Sequence, residues 1–127
     1  MRVLVCGGRD YPYVGMIYGV LDRLSESVEV TAIIHGACGE EMVVCGQMRA
    51  NRGADLLARD WAIDRSITHI PYPADWNKHG KAAGPIRNQH MIDDGKPDLV
   101  VAFPGGRGTA DMVRRARIAG VRVIEVE

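Results

Sequence analysis

The chain has no net charge: Lys+Arg and Asp+Glu each total 16 in 127 residues. Non-specific nucleic-acid binders use surplus cations to neutralise phosphates, so this balance argues against a nucleic-acid partner. No apolar run is long enough to cross a bilayer, and the first residues read as a strand rather than a signal peptide. A cytoplasmic protein with no membrane partner is the expectation. Cysteine is sparse and odd in number (Cys6, Cys38 and Cys45), which is no disulfide framework. His35, Cys38 and Cys45 lie close together, yet a structural zinc site asks for four ligands, usually with a tight Cys-x-x-Cys or His-x-x-x-His pair. No metal and no cofactor are expected. The Gly-Lys-Ser/Thr ending of a P-loop and the G-x-G-x-x-G fingerprint are also absent, which removes a Walker-type ATPase.

What is present is alternation. Residues 2–6 (RVLVC) form an apolar run that stops at Gly7-Gly8-Arg9, a strand followed by a turn. Val14, Ile17, Tyr18, Leu21 and Leu24 recur at helical steps. Further strands are expected at 30–35, 67–71, 99–103 and 121–126, and further helices around 54–62, 86–94 and 109–119. Residues 38–52 fit no period and read as a loop, with 39–51 an insertion. Residues 72–85 read as a second long, irregular loop, and such loops tend to carry function. Strands alternating with helices predict an α/β fold: a single Rossmann-like three-layer sandwich with a mainly parallel sheet, in one domain over 1–127.

In such sheets ligands bind beyond the carboxyl ends of the strands. This chain places Gly7, Gly8 and Arg9 there, then Gly36, then Gly53, Ala54 and Asp55, then Asp75, and finally Gly105, Gly106, Arg107, Gly108 and Thr109. Glycine lacks Cβ, so its N–H can meet an anion unscreened, and N–H groups opening a helix add the positive end of its dipole. One such turn is only a tight strand–helix connection. Several on one sheet edge predict a phosphate site, with the Thr109 hydroxyl as a further donor.

Together, Gly7-Gly8-Arg9, "IIHGA" (33–37), "RGAD" (52–55), "PADW" (73–76), "GKAAGPIRNQHM" (80–91) and "AFPGGRGTADMVRRA" (102–116) resemble the YspA/YpsA-related branch of the SLOG superfamily. The resemblance covers essentially the whole chain. It implies a small Rossmann-like domain that binds or senses a nucleotide or nucleotide-derived ligand, and homo-oligomerisation is plausible for such a domain. The superfamily also contains LONELY GUY-type phosphoribohydrolases, with the signature P-G-G-x-G-T-x-x-E and an Arg-Lys pair on an earlier helix. Pro104, Gly105, Gly106, Gly108 and Thr109 match it. Arg87 stands at the catalytic arginine, Asn88 replaces the lysine, both are expected among the ligand-binding residues, and Met112 stands where the glutamate belongs. Asp111 offers a carboxylate one residue earlier. By that resemblance an N-glycosidase acting on nucleoside monophosphates is the alternative, with Arg87 and Asp111 catalytic. DNA-processing protein A belongs to the same superfamily, so a DNA-binding module is a third reading, opposed by the neutral charge.

Individual residues keep two readings each. Arg87, placed in a first helical turn against the dipole, suggests a local anion; otherwise it is a solvated helix arginine. Asp55 and Asp111 are ligand groups or acids complementing a helix dipole. Asp75-Trp76 is a base-stacking surface or a loop anchor. His35 reads as a hydrogen-bonded structural histidine, and Trp61 as core.

Overall fold

The computed structural model describes residues 1–127. Five strands form one sheet: β1 (Arg2–Cys6), β2 (Ala32–His35), β5 (Thr68–Pro71), β6 (Leu99–Ala102) and β7 (Arg122–Glu125), in the order β5-β2-β1-β6-β7 with every pairing parallel. Side chains alternate faces along a strand. Val3, Val5, Ile33, Val101 and Phe103 therefore pack with α1 (Val14–Ser27) and α2 (Ala54–Asp64), around Ile17, Leu21 and Trp61. Leu4, Cys6, Ile34, Val100 and Ala102 face the opposite layer, α4 (Ala83–Asp93) and α5 (Arg107–Ile118), through Met91, Met112 and Ala116. Helices on both faces explain why β6 reads LVVA, with no polar residue. This is the expected mixed α/β, Rossmann-like sandwich.

The chain winds outward from β1 to β2 and β5 on one side, then returns to lay β6 and β7 on the other. The order reverses between β1 and β6, and a crevice opens at such a point. Its two lips are bonded: the Phe103 amide donates to the Cys6 carbonyl at 2.8 Å, and the Gly8 amide to the Pro104 carbonyl at 2.9 Å.

Two segments differ from the sequence expectation. Residues 39–51 are not a loop. They make an antiparallel hairpin of β3 (Glu40–Val44) and β4 (Gln47–Arg52). Cys45 and Gly46 both have positive φ, +51° and +78°, as a two-residue type I′ turn requires. The turn carries Cys where Asn or Asp is the usual signal, and all five β3 residues are exposed, so no alternation marked the strands. The hairpin is held from outside by α2. Asp60 accepts the Ala50 amide at 2.7 Å, Arg49 donates to both oxygens of Asp64 at 3.0 and 2.9 Å, and Arg59 pairs with Glu41 at 3.0 Å.

Residues 72–85 are likewise more regular than expected. A short helix, α3 (Trp76–His79), is capped by Asp75, whose carboxylate accepts the Lys78 amide at 3.0 Å. A 3-10 turn over Gly80–Ala82 then runs directly into α4. This helix starts at Ala83 rather than 86, with Pro85 in its first turn, where a missing N–H forfeits no helical bond. Similarly α5 starts at Arg107 rather than 109.

Candidate functional site

A cleft of about 630 Å³ opens at the crevice between β1 and β6, within the size range of small-molecule sites. One wall is the turn after β1, Gly7, Gly8 and Arg9; another is the first turn of α5, from Gly106 to Thr109 with Asp111 behind it. Trp76, Lys81, Arg87 and Asn88 supply the third, and Cys38 and Asp55 reach it from the hairpin side. The structure thus brings together Gly7, Gly8, Arg9, Asp55, Arg87, Asn88, Gly106, Arg107, Gly108, Thr109 and Asp111 of the residues expected from sequence. Gly36, Gly53, Ala54, Asp75 and Gly105 do not line it.

The glycines divide into two kinds. A Cβ on Gly7 would meet the Ala54 Cβ at 2.6 Å, and one on Gly36 would meet Arg87 Nη1 at 2.5 Å. On Gly53, at φ +104°, a Cβ would lie 2.6 Å from the Cys38 carbonyl oxygen, and a Cβ on Gly105 would overlap the Thr109 hydroxyl and lie 2.7 Å from the Gly8 nitrogen. Packing within the protein explains these four. Around Gly106 and Gly108, by contrast, nothing lies within 4 Å of a built Cβ. Those two positions are open to an incoming group.

The start of α5 is unusually bare. Gly106 is its N-cap and no side chain caps it. The first intrahelical amide is that of Ala110, bonded to the Gly106 carbonyl at 3.1 Å. The amides of Arg107, Gly108 and Thr109 have no acceptor within the helix, and the dipole leaves about half a positive charge there.

Arg87 belongs to the second turn of α4 rather than the first, which changes its reading. Its guanidinium donates to the Gly36 carbonyl at 2.8 Å and the Tyr72 carbonyl at 3.4 Å, and lies 3.7 Å from Cys38 Sγ. Its Nε donates to Asn88 Oδ1 at 3.0 Å. Main-chain oxygens therefore account for its placement without an anion. Asn88 is buried and ties α4 to α5, donating through Nδ2 to the Gly108 carbonyl at 3.2 Å and to Asp111 at 3.0 Å.

The two carboxyl groups in the cleft are shifted in opposite directions. Burial pushes Asp55 up to about 6, against the opposing pull of the Cys38 amide and the Arg87 charge. Burial would push Asp111 the same way, but hydrogen bonds from Arg115, Asn88 and Arg114 outweigh it and hold its carboxyl below the ordinary range. Arg115 approaches at 2.8 Å and Arg114 at 3.0 Å. The dipole-complementing reading of Asp111 is thereby replaced by an ion-paired one.

His35 is structural, as expected. Its Nδ1 accepts the Ala37 amide at 3.1 Å, so the ring proton sits on Nε2 and points at His69 Nδ1, also 3.1 Å away. Burial, then the His69 and Arg59 charges, lower it to about 3. Trp61 is fully buried, its indole N–H donating to Asp22 at 2.8 Å.

Sequence reasoning missed Cys38 and Lys81 as cleft residues. Cys38 falls in the stretch that showed no period, and Lys81 in the apparent loop before α4. Trp76, weighed as a base-stacking surface or a loop anchor, is half exposed beside the cleft, its ring edge on the Gly84 side of α4.

Comparison with known proteins agrees with this architecture. A protein of Mycobacterium phage D29, named Gene 61 protein, is 34% identical over 131 residues, covering 97% of this chain and 94% of the phage protein. The model of the YspA, cpYpsA-related SLOG family matches residues 1–79, which takes in the turn after β1 and the hairpin but stops before Arg87 and α5. No helix is long and apolar enough to cross a membrane. The chain belongs to the YspA, cpYpsA-related SLOG family, and that membership supports, at a coarse level, a nucleotide-related binding or LONELY GUY-like role.

Proposed function

We propose that the cleft binds a nucleotide or nucleotide-derived ligand, with a phosphoryl group on the first turn of α5. The observation that carries this reading is the uncapped α5 start, flanked by two glycines with open space before them and facing a cleft of ligand size. Amides of Arg107, Gly108 and Thr109 are the donors, with the Thr109 hydroxyl beside them. A charge-assisted bond of this type contributes about 1.5–3 kcal/mol. Trp76 offers an aromatic face for the base, and Asp55 and Asn88 border the space between. Thermal shift against a panel of nucleoside phosphates tests the reading. Ligand at a hundred times its Kd adds about 2.7 kcal/mol, a rise of several degrees for a domain this size. A panel of nucleoside mono-, di- and triphosphates and dinucleotides that moves Tm by nothing refutes it.

A second reading, hydrolysis of the N-glycosidic bond, is favoured by one observation: the ionised Asp111 and the more easily protonated Asp55 share the cleft. Glycosidic cleavage uses such a pair, one carboxyl giving a proton to the leaving group and the other stabilising an oxocarbenium-like sugar. Arg87 would then act by holding the Gly36–Cys38 turn rather than by clamping phosphate. Release of free base from AMP or GMP, lost in Asp111→Asn, is the expected result. Turnover that persists in both Asp111→Asn and Arg87→Ala removes this reading.

A further inference from the structure

The charges at the cleft do not match those of the chain. Overall the protein is neutral, yet Arg9, Lys81, Arg87 and Arg107 line one cleft with only Asp55 and Asp111. The two carboxylates are already committed. Asp111 is held by Arg114, Arg115 and Asn88, and Asp55 is buried against the Cys38 amide with the Arg87 guanidinium nearby. Arg87 is itself held by main-chain carbonyls. Three cations remain. Arg9 stands after β1, Lys81 before α4 and Arg107 on α5, all exposed, and none pairs with a carboxylate of the chain. They come from three different walls, so their fields converge on the space between.

A monophosphate carries about 1.5–2 negative charges at neutral pH, and each further phosphoryl group adds roughly one. The α5 N-terminus contributes about half a positive charge. Three free cations and a helix start exceed what a monophosphate balances. A nucleoside triphosphate usually travels with magnesium, which is bound through one or two protein carboxylates as well as the phosphates. Neither carboxylate here is free for that task.

Resting on the nucleotide reading above, we propose that the cleft's preferred ligand is a nucleoside bearing a metal-free diphosphate. One phosphoryl group sits on the α5 amides, and Arg9, Lys81 and Arg107 neutralise its neighbour.

Isothermal titration in EDTA with AMP, ADP, ATP and inorganic pyrophosphate, repeated in the guanosine, cytidine and uridine series, tests this. In the best-bound series the diphosphate should bind at least tenfold more tightly than the monophosphate, and pyrophosphate should compete with it. Arg9→Gln, Lys81→Gln and Arg107→Gln should each shrink that ratio toward one. Each replaces an exposed side chain, and an unchanged Tm without ligand verifies folding. Arg122→Gln, at the opposite end of the sheet, should leave the ratio as it was. Equal binding of mono- and diphosphate, a ratio unmoved by all three variants, or a triphosphate that binds tighter than the diphosphate, in EDTA or in a parallel titration with magnesium, each overturns the diphosphate assignment alone. If no nucleoside phosphate of any series binds, the nucleotide reading itself falls, and this inference with it.

Discussion

Replacing Gly108 by alanine tests the proposed phosphoryl site, and replacing Gly105 supplies the contrasting case of a packing glycine. Gly108 is the second residue of α5, its built Cβ meets nothing within 4 Å, and it borders the cleft. Alanine is a better helix former than glycine by up to about 1 kcal/mol, so Gly108→Ala should leave Tm unchanged or raise it. The same methyl group intrudes where a phosphoryl oxygen would approach the amide. Loss of one charge-assisted bond costs about 1.5–3 kcal/mol, or on the order of 10- to 150-fold in Kd. Gly105→Ala should behave in the reverse way. Its Cβ would overlap the Thr109 hydroxyl and sit 2.7 Å from the Gly8 nitrogen, an overpacking that costs about 1–3 kcal/mol and lowers Tm by several degrees. Differential scanning fluorimetry of both variants, with and without ADP or inorganic phosphate, reads the two effects separately. If Gly108→Ala folds and binds these anions as tightly as the parent chain, the phosphoryl group does not lie on this turn.

Three further outcomes follow from the same geometry. His35 and Asp55 make opposite contributions to pH dependence. His35, lowered to about 3 when folded, destabilises the fold as pH falls from about 6.5, because only the unfolded chain takes up its proton; Asp55, raised to about 6, stabilises it as pH falls from about 6 to 4, because only the folded chain does. Each slope is at most about 1.4 kcal/mol per pH unit, so urea denaturation between pH 4 and 7 should show a steeper acid loss for Asp55→Asn than for His35→Gln, and equal slopes refute the assignment. Asp60→Ala strips the Ala50 amide of its acceptor and takes one of two carboxylate partners from Arg49 and from Arg59; a loss of about 1–3 kcal/mol should appear with new protease cleavage within residues 40–52, and an uncut hairpin counts against α2 as its anchor. Arg87→Met removes the donor to the Gly36 and Tyr72 carbonyls, and amide exchange at 36–38 should quicken while that in β1 stays slow; uniform protection would show that Arg87 does not hold this turn.

Much of the candidate site was legible because its parts are local. The run from Leu99 into Pro104-Gly105-Gly106 and on through Thr109 spells strand, turn and helix within a dozen residues, and the parallel sheet followed from alternation alone. Parts held by distant residues were not legible. The 40–52 hairpin owes its order to Asp60, Asp64 and Arg59 on α2, and its own sequence lacks both alternation and a usual turn residue. The α3 segment needed Asp75 to act as a cap, which the run of prolines and glycines around it obscured.

By itself the sequence determined the layered α/β architecture and the glycine-rich connections beyond the strand ends, since periodicity and turn chemistry act between near neighbours. Only the tertiary structure decided what each glycine is for. Gly7 yields to Ala54, Gly36 to Arg87 and Gly53 to Cys38, whereas Gly106 and Gly108 face open space. The same contacts decided the states of the charges, because whether an arginine or carboxylate is free depends on which carbonyl, amide or counter-ion the fold brings within about 3 Å of it.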